Sequence, residues 1–301
     1  MKSYPGFDVI RHVLAIQVMF WHYQYMFANT PDFHFLDMVP CFLAISGFFI
    51  PQSFASSRNW GHFLWKRALR VLPAFICALT LVFALFGLRV LVETLHNYAI
   101  LGWFNKGKDP ALWSLEAEEI IYVGFAVLYL AGAYRIKWLV WSLTVCAVIG
   151  SELVFKRDPD YDSLLRSTVL PAAFLIGNLF YLHIETLKKK TVLTWSLFTV
   201  AFVACLATPD RPINALLQCV AILILGSVVS WPFKRMPFDM SYGIYVYHFP
   251  IAFYLQAHGV GEWWPAAIVS LLVAAGSWWG VERFAIGLKN WTPHWKTAAD
   301  E

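Results

Sequence analysis

The chain has 301 residues, of which 59% are hydrophobic and only 14% are charged, whereas soluble globular domains carry about 25% charged residues. Too few polar side chains are present to cover a soluble fold of this length, so the composition excludes one. The net charge is only +4, and no basic segment interleaved with aromatic residues indicates nucleic-acid binding. The 15 Trp, 13 Tyr and 25 Phe are typical of aromatic belts at two membrane interfaces.

Ten stretches come close to the roughly 20 apolar residues that a membrane-spanning helix needs. They cover residues 9–28, 33–54, 73–92, 113–134, 138–155, 167–184, 192–207, 213–231, 239–258 and 265–286. The connections between them are short and contain Pro and Asp, which marks turns between antiparallel helices. We therefore predict an all-α membrane protein, a bundle of about ten transmembrane helices. Residues 1–301 form a single domain, with spans over about 9–286 and a short cytosolic tail over 287–301.

The distribution of Lys and Arg predicts the orientation, because cytosolic connections are enriched in these residues. With a cytosolic N-terminus and ten spans, 16 of the 23 Lys and Arg residues fall on the inner side and 7 on the outer side. Adding or removing one span mixes the two groups. We therefore predict that both termini are cytosolic.

The first span carries two ionisable residues, Arg11 and His22. Eleven residues at 100° each bring the two side chains to within about 20° of the same helix face, about 16 Å apart along the axis. Ionisable groups inside a span cost several kcal/mol, so they are candidates for function. A lone His in a helix is more often structural, so the spacing alone does not make His22 catalytic.

A basic cluster of Lys66, Arg67 and Arg70 precedes Pro73, which we expect to open the third span. Cationic residues at the inner end of a span are often plain topology anchors. The functional alternative is phosphate binding, for which the guanidinium group offers two parallel N–H donors. Composition alone leaves both interpretations open.

Two later spans carry polar residues at helical spacing along one face. The fourth has Ser114, Glu118 and Tyr122, and the ninth has Ser241, Tyr245 and His248. Acidic residues favour the first turn of a helix, which suits Glu116 better than Glu118. Because such a stripe has to avoid lipid, we expect both stripes to face protein or water.

The order of these residues resembles the acyltransferase-3 family of membrane proteins, which O-acylate sugars, peptidoglycan, antibiotics and exopolysaccharides. The resemblance runs from about residue 5 to residue 285 and rests on six segments. Three lie in the first quarter of the chain: 7–22, with an Arg followed after ten intervening residues by a His; 42–50, with Ser-Gly-Phe; and 66–73, with Arg-x-x-Arg before Pro. The other three are 113–122, with Trp-Ser-Leu, Glu and Tyr; 241–248, with Ser-Tyr and Tyr-x-x-His; and 281–283, with Val-Glu. Phe284 stands where the family usually has Pro, and Glu116 where a small residue is usual.

The resemblance implies an enzyme that transfers an acyl group, we expect acetyl, from the co-substrate acyl-CoA to a hydroxyl of a glycan or lipid-linked sugar. It implies that His22 is the general base, since histidine titrates near neutral pH. We expect Glu118 to hold the tautomer of His22. The expected donor-binding and substrate-binding residues are Arg11, Arg67, Arg70, Ser114, Tyr122, Ser241, Tyr245 and His248. We expect no metal and no permanently bound cofactor, and a location in the bacterial inner membrane.

Three alternatives stay open at this stage. Transfer could pass through a covalent acyl-enzyme, with Ser46, Ser114, Tyr122 or Ser241 as the carrier. A transporter would use the same ionisable residues as a proton or substrate path, but it favours paired halves with broken helices, which we do not find. A polyprenyl-phosphate glycosyltransferase would need an acidic metal-binding pair or large outer loops, and the outer loops here are short.

The predicted topology can be tested by labelling single cysteines introduced at Asn29 and at Lys189. We expect an impermeant thiol reagent applied from outside to label position 29 and to spare position 189. Labelling of position 189 from outside intact cells would overturn the predicted orientation.

Overall fold

The computed structural model describes residues 4–99, 113–157, 168–209, 211–233 and 236–290. Within these ranges the chain is helical and contains no strand. The helices are α1 (Pro5–Gln24), α2 (Met38–Ala55), α3 (Trp60–Phe86), α4 (Leu88–Ala99), α5 (Trp113–Leu130), α6 (Lys137–Arg157), α7 (Leu170–Lys189), α8 (Thr191–Ala207), α9 (Pro212–Ser227), α10 (Ser241–Ala257), α11 (Trp263–Ser277) and α12 (Arg283–Gly287). A π-helical turn at Trp278–Glu282 joins α11 to α12 without a break. Residues 291–301 of the predicted tail lie outside the described residues.

Five of the described helical segments are long and apolar enough to cross a membrane. They are α2, α3, α6, α7 and the continuous helix Trp263–Gly287. α8 and α9 are apolar but shorter. These features agree with a multi-pass helical membrane protein, as the sequence predicts. The count of ten spans and the orientation of the termini stay predictions.

The first helix begins earlier than predicted. Pro5 lies in its first turn, where the missing N–H costs nothing and the fixed φ favours a helix. The span predicted over 9–28 is therefore the helix Pro5–Gln24, and Asn29 with its φ of 59° lies in the turn that follows. His22 consequently lies in the last turn of α1, near one end of the bundle.

The basic cluster lies on a helix, and the expectation that Pro73 opens the third span is wrong. α3 starts at Trp60, where the Asn59 side chain accepts a hydrogen bond from the His62 N–H at 2.9 Å and caps the helix. Pro73 lies inside α3. Regular helix geometry therefore holds the cluster, with Arg67 and Arg70 directed to buried partners and Lys66 bound to the exposed Ser56 carbonyl.

The closest helix crossing in the bundle joins α2 to α7. Gly47 and Gly177 lie at this crossing, where each helix presents bare backbone to the other. A Cβ atom built on Gly177 would lie 2.1 Å from the carbonyl oxygen of Ala44, and one on Gly47 would lie 2.1 Å from that of Phe174. Small residues let membrane helices approach this closely, so these two glycines set the distance between α2 and α7.

Substitution of Gly177 by Ala tests this crossing. The methyl group has no room, so we expect a loss of about 1–3 kcal/mol in the free energy of unfolding, as for other overpacked cores. The matched control is Gly150→Ala on α6, where an added Cβ meets nothing within 4 Å. Thermal unfolding of the purified protein in detergent measures both, and equal unfolding temperatures for the two variants would contradict this account.

Candidate active site

Two histidines from different helices meet inside the bundle. The Nδ1 atom of His22 on α1 lies 2.7 Å from the Nε2 atom of His248 on α10. Their ring planes are only 10° apart. His248 is completely buried, whereas His22 keeps some exposure. The structure thus joins two site residues that lie in the first and ninth predicted spans.

The partners of His248 assign the tautomers of both rings. Its Nδ1 atom lies 2.9 Å from the carbonyl oxygen of Ile244, which can only accept, so the proton of neutral His248 is on Nδ1. Its Nε2 atom is then an acceptor, and the Nδ1–H of His22 donates to it. Neutral His22 therefore carries a lone pair on Nε2. This is the form that a general base needs.

Glu118 is not the partner of His22. Its Oε1 atom accepts a hydrogen bond from Ser46 Oγ at 2.7 Å and another from the Tyr122 hydroxyl. The expectation that this carboxylate orients His22 is therefore not met, because α5 turns Glu118 toward Ser46 on α2. His22 donates its hydrogen bond to His248 instead. The catalytic role of Glu118 stays a prediction.

The two polar stripes do meet, as expected of residues that avoid lipid. The Ser114 hydroxyl on α5 lies 2.5 Å from the Tyr245 hydroxyl on α10, and both residues are buried. Tyr245 lies one turn before His248, and Ser114 lies one turn before Glu118. The Ser114–Tyr245 contact thus places the carboxylate group and the histidine pair in neighbouring turns of facing helices.

A carboxylate that sequence reasoning missed contacts three of the predicted donor-binding and substrate-binding residues. Asp239 Oδ2 lies 2.7 Å from an Nη2 atom of Arg70 and 3.2 Å from one of Arg11. Asp239 Oδ1 accepts a hydrogen bond from Ser241 at 2.7 Å. Arg11 also pairs with Asp8 at 2.7 Å. The position of Asp239, two residues before a polar helix stripe, is the signal that could have identified it.

Asp239 lies in the connection before α10, at the first residue of the span predicted over 239–258. Burial opposes its charged form, but the guanidinium groups of Arg11 and Arg70 outweigh this and hold the pKa of Asp239 well below its usual range. The backbone around it is also fixed. His12 accepts a hydrogen bond from the Met240 N–H at 3.1 Å and donates one to the Asp8 carbonyl at 2.7 Å. His12 thus has a structural role, holding the connection before α10 against α1.

Two buried arginine donors lack a partner within the described residues. They are the Nε–H groups of Arg11 and Arg67. Arg67 donates one longer hydrogen bond, of 3.4 Å, from Nη2 to Ser53 and interacts electrostatically with Tyr122 and Glu118. Buried donors are nearly always satisfied in native proteins, so unpaired ones suggest that a ligand supplies the acceptor.

A second buried carboxylate, Glu282, lies in the π-helical turn and is only 2% exposed. It accepts a hydrogen bond from Ser277 at 2.8 Å, and the Tyr247 hydroxyl lies 2.7 Å from Ser277 Oγ. π-Helical turns occur frequently at functional sites. Sequence analysis noted Glu282 only as part of a motif, because the π turn that points it inward has no local sequence signature.

Ionisable and hydroxyl side chains from five helices, α1, α2, α3, α5 and α10, thus meet between apolar helices, which defines a multi-pass membrane protein with an internal polar site. The acyltransferase-3 family, described as an acyltransferase domain, matches residues 4–282. The chain belongs to this family.

Two curated proteins are similar over most of their length. Nodulation protein 10 of Rhizobium leguminosarum bv. viciae is 25% identical, with 95% of this chain and 94% of that protein covered. The O-acetyl transferase of Shigella phage Sf6 is 24% identical, with 81% of this chain and 84% of that protein covered. No solved structure matches the chain. Family and relatives together make this protein an O-acyltransferase.

Substitution of Asp239 by Asn tests the arginine–carboxylate cluster. At neutral pH it leaves the Arg70 guanidinium without its carboxylate partner, while Arg11 keeps Asp8, so we expect a loss of about 3 kcal/mol in the free energy of unfolding. The control is Asp32→Asn, an exposed carboxylate in the connection after α1. Thermal unfolding in detergent is the measurement, and an unchanged unfolding temperature for Asp239→Asn would contradict the pairing.

The same comparison has a predicted pH dependence. Because the pKa of Asp239 is lowered in the folded state, its stabilising effect is complete above the unfolded value of about 3.9. The effect is lost as the pH falls toward the folded value. The difference between the native chain and Asp239→Asn should therefore stay constant from pH 7 to pH 5 and shrink below about pH 4.

Proposed function

We propose that the protein transfers an acyl group, we expect acetyl, from cytosolic acyl-CoA to a hydroxyl of a glycan or lipid-linked sugar, within or across the membrane. The general base is His22. The observation that carries this proposal is the hydrogen-bonded series from the Ile244 carbonyl through His248 to His22, which leaves the Nε2 lone pair of His22 available.

The chemistry follows from that arrangement. His22 Nε2 removes the proton from the sugar hydroxyl while the oxygen attacks the thioester carbonyl. The tetrahedral intermediate then collapses, the carbon–sulfur bond breaks, and the thiolate takes the proton from His22. While His22 is an imidazolium, its Nδ1–H donates to His248 Nε2, as a triad carboxylate would accept it. The acceptor here is a neutral imidazole, so the cation is stabilised by a hydrogen bond and not by an ion pair.

The arginine cluster supports an acyl-CoA donor. Arg11 lies on the same face of α1 as His22, about 16 Å away along the axis. CoA likewise separates its phosphates from its thioester by a long, flexible arm. The unpaired Nε–H groups of Arg11 and Arg67 suit phosphate oxygens, because charge-assisted hydrogen bonds to phosphate are among the strongest available.

Direct transfer to the acceptor is favoured over a covalent acyl-enzyme. The hydroxyls of three candidate carriers already contact other groups: Ser46 donates to Glu118, Ser114 contacts Tyr245, and Ser241 donates to Asp239. The fourth candidate, Tyr122, donates to Glu118 as well. None of these hydroxyls bonds to His22 within the described residues, so none is placed to lose its proton to this base.

We propose a bundle of ten transmembrane helices with both termini cytosolic, in the bacterial inner membrane. The distribution of Lys and Arg supports the orientation. Sequence similarity to a protein of Rhizobium leguminosarum and to one of a Shigella phage supports a bacterial setting.

The experiment is transfer of label from acetyl-CoA to a panel of oligosaccharides and lipid-linked sugars by the purified protein. We expect His22→Gln to lose about 10²- to 10⁴-fold in rate, because Gln fills the space but cannot take the proton. His248→Gln keeps a carbonyl that can accept from His22 Nδ1, so it should retain more activity than His248→Leu. His258→Gln is the matched control, since His258 is exposed at the end of α10.

Two results would contradict the proposal. If the native chain transfers label to none of the acceptors, the proposed acyl transfer from acetyl-CoA is wrong. Near-full activity of a folded His22→Gln variant would show that the base is another residue. Equal activity of His248→Gln and His248→Leu would contradict the tautomer assignment and leave the base in place.

A further inference from the structure

An apolar groove lies between helices that carry neither histidine of the pair. It has a volume of about 340 Å³ and is formed by α6 and α7, with one residue each from α8 and α9. Its walls include Val145, Val148 and Ile149 of α6 and Ile176, Leu179 and Phe180 of α7. This volume lies within the range of small-molecule binding sites, about 300–1,000 Å³.

The groove is long and runs parallel to the helices. On α6 its lining extends from Trp141 to Ile149, and on α7 from Leu187 to Ile176. At 1.5 Å per residue, these stretches are about 12 Å and about 16 Å long. Thr144 offers no free donor along the way, because its hydroxyl donates to the Val140 carbonyl at 2.8 Å. The shape and chemistry suit an extended hydrocarbon chain.

One end of the groove is polar. There the Trp141 indole N–H donates to His183 Nε2 at 3.1 Å. Neutral His183 therefore carries its proton on Nδ1, a donor without a hydrogen-bond partner among the described residues. Lys137, one turn before Trp141, is exposed and interacts electrostatically with His183.

The charges at this end are predominantly positive. Lys189 ends α7 at the same end of the bundle at which Lys137 begins α6. The nearest carboxylate on α7 is Glu185, which follows His183 by two residues and so points about 200° away around the helix. An anionic headgroup would meet a cation, a ring N–H and an indole there.

We propose that this groove binds one acyl chain of an anionic phospholipid, with the lipid phosphate at Lys137 and His183. Both groove helices are long and apolar enough to span the bilayer, and we infer that the groove opens to lipid. The exposed faces of Val145 and Ile149, at 49% and 53%, agree with an opening on that side. Basic residues beside membrane helices are the usual binding sites for anionic headgroups.

Native mass spectrometry of the full chain tests this proposal, with phosphatidylglycerol and phosphatidylcholine of identical acyl chains as the added lipids. We expect the native chain to retain one phosphatidylglycerol with at least fivefold preference. Val145→Trp should reduce retention at least tenfold by filling the groove. Its matched control, Val203→Trp, adds the same ring at an exposed position of α8 and should change nothing.

The charge is tested separately. Lys137→Gln should abolish the preference for phosphatidylglycerol, whereas Lys156→Gln, a cation in the last turn of the same helix, should keep it. Equal retention by the native chain and a folded Val145→Trp variant overturns the proposal. Equal retention of the two lipids by the native chain also overturns it. Retention of a prenyl phosphate instead of a phospholipid would overturn it as well.

Discussion

A charge buried among apolar helices has to be paired, and the pairing at Asp239 organises the inner part of this site. Its carboxylate joins Arg11 of α1 and Arg70 of α3 at the entrance to α10. Removing one member of such a group leaves an uncompensated charge. The resulting destabilisation is far larger than the net stabilisation that the whole group provides. The cluster therefore fixes the relative positions of α1, α3 and the start of α10. Tyr245 and His248, on the same α10, contact Ser114 and His22.

Periodicity predicted which side chains share a face, because 3.6 residues per turn is a local property. Arg11 and His22 lie on the helix α1, and Ser241, Tyr245 and His248 lie on the helix α10. Periodicity could not predict which faces meet. Glu118 contacts Ser46 and His22 contacts His248 because of how α1, α2, α5 and α10 pack, and these contacts join residues 72 and 226 positions apart.

The helix boundaries show the same division between local and tertiary causes. Apolar runs predicted that residues near 73–92 form a helix, but the true start at Trp60 depends on the Asn59 cap and includes a polar, basic turn. A Lys- and Arg-rich segment does not have the hydropathy of a span, so a window of apolar residues excludes it. Its guanidinium groups are tolerated because Asp239, in the connection before α10, pairs with Arg70, and Glu118 of α5 interacts electrostatically with Arg67.

The π-helical turn at Trp278–Glu282 has a consequence for how the last helix evolves. Such a turn holds one residue more than a regular α-helical turn, so it shifts the phase of everything that follows by about 100°. The loss of a single residue there would leave a continuous, equally apolar helix of nearly the same length. It would nevertheless rotate Glu282 away from Ser277 and Tyr247. In this helix a one-residue deletion would therefore move a buried carboxylate to another face without changing the hydrophobicity of the segment.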